Sequence, residues 1–162
     1  MISRYISLAA FLLLAVAASL AGSSFEAGEW YYVTMNRPPM APPGWLYAVI
    51  WAVVYVLMAL AAWRVWMTRH HSRLAALAWW IVLLLLNTGW SMLFFGLNRP
   101  GWALPLLVLA AGSAVLCIRA FSRLSGQAAW LMTPYLAWIL FILVFNLAVW
   151  TVNGGALGRF LN

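Results

Sequence analysis

Long apolar blocks alternate with short polar breaks along this chain of 162 residues. The blocks run at about 5–22, 45–66, 74–96, 103–121 and 127–152. Gly22-Ser23-Ser24, Arg69-His70-His71-Ser72-Arg73, Asn98-Arg99-Pro100-Gly101 and Ser122-Arg123-Leu124-Ser125-Gly126 separate them. A hydrocarbon core about 30 Å thick takes roughly 20 apolar residues as helix, because backbone groups there must be hydrogen-bonded within the segment. The pattern predicts an all-α integral membrane protein, a five-transmembrane-helix bundle in which residues 1–162 form a single transmembrane domain. Three connections are short and make consecutive helices antiparallel neighbours; the first, about 23–44, is long. The first block has a second reading, since Arg4, an apolar run and Ser19-Leu20-Ala21 also resemble a signal peptide with a small-residue cleavage site.

Composition closes off a soluble globule. The chain is 67% hydrophobic and 7% charged, against roughly a quarter charged in soluble domains. Its net charge of +7 comes from nine arginines against Glu26 and Glu29. The arginines stand singly between apolar blocks, which fits anchoring at lipid phosphates and no nucleic-acid stripe. Arg4, Arg64, Arg69, Arg73, Arg119 and Arg123 share one side of a five-span chain, with Arg37, Arg99, Arg159 and both glutamates on the other. This asymmetry predicts the N-terminus inside, with the first loop and the C-terminus outside. The membrane is the cell membrane if the source is bacterial and the outer mitochondrial membrane if it is eukaryotic.

The spans hold no Asp, Glu, Lys or His. Proton pumps and most ion-coupled carriers need ionisable groups at mid-depth, and general acid–base or Schiff-base catalysis needs side chains absent here. Cys117 is the single cysteine, so no intramolecular disulfide or CxxC site can form. His70 and His71 sit together in a short arginine-flanked loop with no further metal ligands, which reads as a solvated turn and predicts no metal site. Any catalysis falls to aromatics or a bound pigment.

The 12 tryptophans are the remaining anomaly. Trp30, Trp45, Trp63, Trp66, Trp102, Trp130 and Trp150 fall near span ends and fit an interfacial belt, while Trp79 and Trp80 are borderline. Trp51 and Trp90 lie roughly 9 Å below the outer ends of their helices and Trp138 deeper still. Each of these three belongs to a helical stripe. The stripes are Tyr47, Trp51, Tyr55, Met58 and Ala62; Asn87, Trp90, Ser91, Phe94 and Phe95; and Tyr135, Trp138, Ile142, Asn146, Val149 and Asn153. Buried amides in hydrocarbon need partners, which points Asn87, Asn146 and Asn153 inward. Both a packed interhelical core and a cavity for a flat apolar ligand fit these stripes.

The first loop carries Trp30-Tyr31-Tyr32 and then four of the seven prolines within Pro38–Pro43. Proline fixes φ and removes donors, so this stretch reads as a stiff extended path, either a lid over the shallow ends of Trp51 and Trp90 or an ordinary interfacial connection. Small residues recur at fourfold spacing in Ala17 with Ala21, Ala18 with Gly22, and Ala110 with Ala114, which suits close helix approach in a dimer or within the bundle.

In combination these residues resemble the TspO/MBR family of tryptophan-rich sensory proteins. The motifs are Trp30-Tyr31, Arg37-Pro38, Pro42-Pro43 leading to Trp45, and the series Trp51, Tyr55, Met58. They continue with Asn87 through Trp90 to Phe94-Phe95-Gly96, Gly101-Trp102-Ala103-Leu104, and Pro134-Tyr135-Leu136-Ala137-Trp138 through Asn146 to Asn153. The resemblance implies a homodimeric five-helix bundle with no tightly bound cofactor. It implies binding of porphyrins such as protoporphyrin IX or haem, and of synthetic benzodiazepine or isoquinoline-carboxamide ligands, in a pocket capped by the first loop. It links such proteins to tetrapyrrole regulation or transport and stress. It also implies, as an alternative, light- and oxygen-dependent porphyrin breakdown with Trp51 and Trp138 as the catalytic residues. A structural or regulatory membrane subunit is the third reading. Candidate ligand contacts are Tyr31, Tyr32, Arg37 and Pro42 from the loop, then Trp51, Tyr55, Asn87, Trp90, Phe94, Tyr135, Trp138, Ile142 and Asn146 from the spans.

The sequence departs from the family pattern in several places. Arg37 replaces a frequent Lys and keeps its charge, Met40 replaces an aromatic, and Leu83 replaces a Gln, which makes that wall less polar. Ile142 replaces a small residue and is expected to narrow the pocket. Leu147 and Thr151 stand where a sterol-recognition signature needs an aromatic and a basic residue, which argues against sterol binding through that motif.

Overall fold

The computed structural model describes residues 2–25 and 28–154, and every regular element within them is helical. The elements are α1 (Ile2–Ser23), α2 (Gly44–Met67), α3 (Arg73–Ser91), α4 (Pro100–Ser122) and α5 (Gly126–Val152). α3 continues through a π-helical turn, Met92–Gly96. These bounds agree with the five apolar blocks to within three residues at each end. All five helices are long and apolar enough to cross a membrane, so the chain is a multi-pass integral membrane protein. Glu26 and Arg159, which entered the charge comparison above, lie outside the described residues.

Local chemistry sets the helix ends. α2 starts directly after Pro42-Pro43, and α4 starts on Pro100, where a missing N–H removes nothing from the helix. Ser125 caps α5 by accepting from the Ala128 N–H at 3.2 Å. Pro134 inside α5 leaves the Trp130 carbonyl without its usual donor, and the Thr133 hydroxyl donates to that carbonyl at 2.8 Å. The helix therefore continues through the proline.

α4 packs on α3 and α5, α2 on α5 and α1, and α1 closes the ring against α3. Burial around the ring is uneven. Only 6% of the apolar window of α1 is inside the bundle, against 39% for each of the other four helices. Small residues serve internal packing: Ala110 and Ala114 are buried, and a Cβ on Gly22 would lie 3.3 Å from Ser91 Oγ. Ala17 and Ala21 face outward.

Three sequence expectations are corrected. Trp80, placed near the interfacial belt, is fully buried and packs edge-on to Phe11 at 5.5 Å, because α1 covers that face of α3. The proline-rich stretch of the first loop is not extended throughout, and a helical turn precedes it. Trp30–Thr34 form a π-helical turn, and Ala41 N–H bonds to the Pro38 carbonyl at 2.9 Å, closing a tight turn with proline at its favoured second position. Asn153 is half-buried at the end of α5, where its partners belong to the loop, instead of facing the bundle interior.

Candidate functional site

The aromatic–amide stripes of α3 and α5 meet in the interior. Trp90 Nε1 donates to Asn146 Oδ1 at 3.0 Å, and Asn146 Nδ2 donates to the Pro100 carbonyl at 2.7 Å, joining α3, α5 and α4 through one fully buried amide. One helical turn deeper on α3, Tyr135 OH donates to Asn87 Oδ1 at 3.0 Å. Asn87 Nδ2 is buried with no partner among the described residues.

On the other side of Asn87 lies a cavity of about 580 Å³ between α1, α2 and α3. Tyr47, Trp51 and Tyr55 wall it from α2, Asn87, Ser91 and Phe95 from α3, and Ser19, Gly22 and Ser23 from α1. Phe25 and Tyr32 complete it at the loop end. Its aromatic wall continues inward: Trp51 stacks on Trp90 at 6.4 Å and meets the edge of Trp138 at 6.2 Å, and Trp138 stacks on Phe141 at 5.1 Å. Such contacts contribute on the order of 1 kcal/mol each beyond area burial and hold the indoles in register.

The loop is fixed over this end. Trp30 packs edge-on to Phe94 at 5.9 Å and Tyr31 to Phe95 at 5.5 Å. The Arg37 guanidinium lies 5.9 Å from the centre of the Tyr32 ring. Burial raises the Tyr31 phenol above its ordinary range, with nearby Arg37 acting in the opposite direction, so Tyr31 stays a neutral donor at physiological pH. Asn153 grips the loop backbone, its Oδ1 accepting from Asn36 N–H at 2.8 Å and its Nδ2 donating to the Asn36 carbonyl at 2.9 Å.

Of the candidate contacts, Tyr32, Trp51, Tyr55 and Asn87 line the cavity. Trp90 and Trp138 stand directly behind Trp51, while Tyr31 and Arg37 brace Tyr32. Pro42 is half-buried where the loop turns into α2 and does not line the cavity. Phe94, Tyr135, Ile142 and Asn146 are packed inside the bundle, and Ile142 therefore does not narrow this cavity. Leu83 is likewise core and no part of the wall. The lining residues absent from the candidate contacts are Phe25, Tyr47, Ala48, Ala52, Ser91 and Phe95, of which Tyr47, Ser91 and Phe95 stand on the predicted stripes, and Ser19, Gly22 and Ser23 of α1, which sequence reasoning did not assign to a wall. The one signal of the α1 residues was Gly22-Ser23, which reads as the end of a span and also lets α1 approach Ser91 closely.

These elements define a class: a helical membrane protein with an aromatic-walled intramembrane cavity under a braced loop. Comparison with known proteins makes the assignment particular. The sequence pattern of the TspO/MBR family matches residues 9–151. The chain is 32% identical over 154 residues to the tryptophan-rich protein TspO of Chlorobaculum tepidum, covering 93% of this chain and 98% of the relative. It is 33% identical over 148 residues to the translocator protein of Bos taurus, covering 88% of each. It is also 33% identical over 154 residues to protein CrtK of Rhodobacter capsulatus, covering 92% of this chain and 96% of the relative. The chain belongs to the TspO/MBR family.

Proposed function

We propose that this membrane protein is a sensor or carrier that binds porphyrins such as protoporphyrin IX and haem, and related flat hydrophobic ligands, in the α1–α2–α3 cavity. The observation that carries this reading is the pairing of the Trp51–Tyr55–Phe95 aromatic wall with the lining amide Asn87, whose buried Nδ2 has no partner among the described residues, in a cavity of about 580 Å³, within the roughly 300–1,000 Å³ of small-molecule sites. A planar π-system gains offset stacking on Trp51 and Tyr55, an acceptor on its rim accepts a hydrogen bond from Asn87 Nδ2 once the amide turns to the cavity surface, and a propionate reaches Arg37 at the loop. The arginine asymmetry supports a loop end that faces outside.

Titration with protoporphyrin IX tests the reading. Saturable quenching of tryptophan fluorescence is expected, with affinity lowered about tenfold or more in Trp51→Ala and less in Trp138→Ala, which removes a support behind the wall. Unchanged affinity in a folded Trp51→Ala protein overturns it.

The contiguity of Trp51, Trp90 and Trp138 favours a second reading, in which these indoles exchange electrons with an illuminated bound porphyrin that dioxygen then oxidises. Light-dependent loss of the Soret band at the same rate in wild type and Trp51→Phe counts against it.

A further inference from the structure

At the end of the bundle remote from the cavity, two depressions adjoin on the α2–α5 face. One, of about 250 Å³, is bordered by Arg4, Trp63, Arg64, Met67, Thr68 and Ser125. The other, of about 430 Å³, is walled by Leu57, Trp130, Leu131 and Pro134, with Arg64 and Gln127 at its end. Arg64 borders both. We infer that this groove binds an anionic glycerophospholipid, with its phosphate between the Arg4 and Arg64 guanidinia and an acyl chain along Leu57, Leu131 and Pro134.

The charge balance calls for an anion. Arg4, Arg64, Arg69, Arg73, Arg119 and Arg123 share this end, and the one described acid, Glu29, lies in the loop at the other. Arg73 is engaged, lying 4.5 Å from the Trp66 ring centre and donating to the Trp66 carbonyl at 3.2 Å. Arg64 donates to Gln127 Oε1, a neutral acceptor that orients the guanidinium without neutralising it. The Arg4 side chain is exposed and meets no acceptor among the described residues. Thr68 has committed its hydroxyl proton to the Val65 carbonyl, whereas Ser125 Oγ accepts from Ala128 N–H and retains its own proton for a phosphate oxygen. Basic pockets between membrane helices at headgroup depth suit such lipids.

The apolar walls call for a chain attached to that anion. Leu57 lies seven residues before Arg64 on α2, and Pro134 seven after Gln127 on α5. The groove thus runs about 10 Å from headgroup level into the hydrocarbon. Trp130 is 77% exposed and flanks it. A free phosphate leaves these walls unused, and a choline ammonium adds a cation among arginines.

Native mass spectrometry of the full-length protein, released from nanodiscs holding equal phosphatidylglycerol and phosphatidylcholine, tests the assignment. Wild type is expected to retain phosphatidylglycerol about tenfold in preference. Arg4→Gln with Arg64→Gln should abolish the preference, and Arg64→Lys should keep most of it. Leu57→Trp, which fills the groove without altering charge, should reduce retention several-fold and serves as the test if the double variant does not fold. Equal retention of both lipids by wild type overturns the assignment, as does a preference that Leu57→Trp leaves unmoved. Displacement by an equal concentration of free glycerol phosphate overturns it in favour of a bare anion site. Efficient disulfide-linked dimers of Trp130→Cys in phosphatidylglycerol bilayers overturn it in favour of a second copy of the chain; native Cys117 is buried and does not compete.

Discussion

Two sides of the bundle use the same residue types in opposite ways. Where α3, α4 and α5 meet, the Asn146 amide is fully committed: its oxygen holds Trp90 and its nitrogen holds the Pro100 carbonyl, with 0% of the residue exposed. Toward α1 and α2, Asn87 spends its oxygen on Tyr135 and keeps a buried nitrogen without a partner among the described residues, in a side chain that lines a cavity. Both amides lie on aromatic stripes that look alike in sequence. The difference teaches that a polar side chain in an apolar bundle marks a candidate site only where its partner is withheld. A bare buried donor costs about 1–3 kcal/mol, so a ligand acceptor supplied there gains what packing has already secured on the other side.

Asn146→Leu is the sharpest way to break this contrast. It orphans the Trp90 indole N–H and removes the second bond to the Pro100 carbonyl, which still accepts within α4, and should lower stability by about 2 kcal/mol in thermal or denaturant unfolding in detergent. Asn87→Leu orphans the buried Tyr135 hydroxyl but also removes the unpartnered Asn87 Nδ2, so the two terms oppose each other and it should cost less, about 1 kcal/mol. Its effect belongs on the ligand, with protoporphyrin IX affinity falling about five- to tenfold. If Asn87→Leu destabilises as much as Asn146→Leu, the two sides do not differ and the cavity is ordinary core.

The five helices were legible because hydrocarbon imposes one requirement on length and polarity, and each block meets it. The inward stripes of α2, α3 and α5 were legible for a related reason: only the bundle interior offers hydrogen-bond partners to Asn87, Asn146 and Tyr135. What sequence left open was how the stripes divide between core and cavity. That division depends on α1, whose apolar residues mostly face outward and whose contribution is the absence of bulk at Ser19, Gly22 and Ser23. Periodicity registers side chains that are present, and a cavity is made by side chains that are missing. The burial of Trp80 was hidden likewise, because depth along α3 is readable from spacing but the Phe11 ring that covers it comes from another helix.

The loop over the cavity gives the smallest and most discriminating effect. Asn153 joins it to α5 through Asn36, while a third bond, from Nδ2 to the Val149 carbonyl at 2.8 Å, aligns the amide along its own helix. All of this sits at a helix end, where water can replace the lost partners, so Asn153→Ala should cost no more than about 1 kcal/mol of global stability. Local opening should respond more clearly. Hydrogen exchange at the Asn36 amide should accelerate several-fold, while the buried α3–α5 amides stay as slow as in wild type. Protoporphyrin IX should dissociate faster at nearly unchanged association rate, because the bound state loses a brace and the cavity walls keep their shape. If exchange at Asn36 does not change, the loop is held by Trp30 on Phe94 and Tyr31 on Phe95. The aromatic contacts that build the cavity would then also close it, and the division between a packed side and an open side would end at the membrane surface.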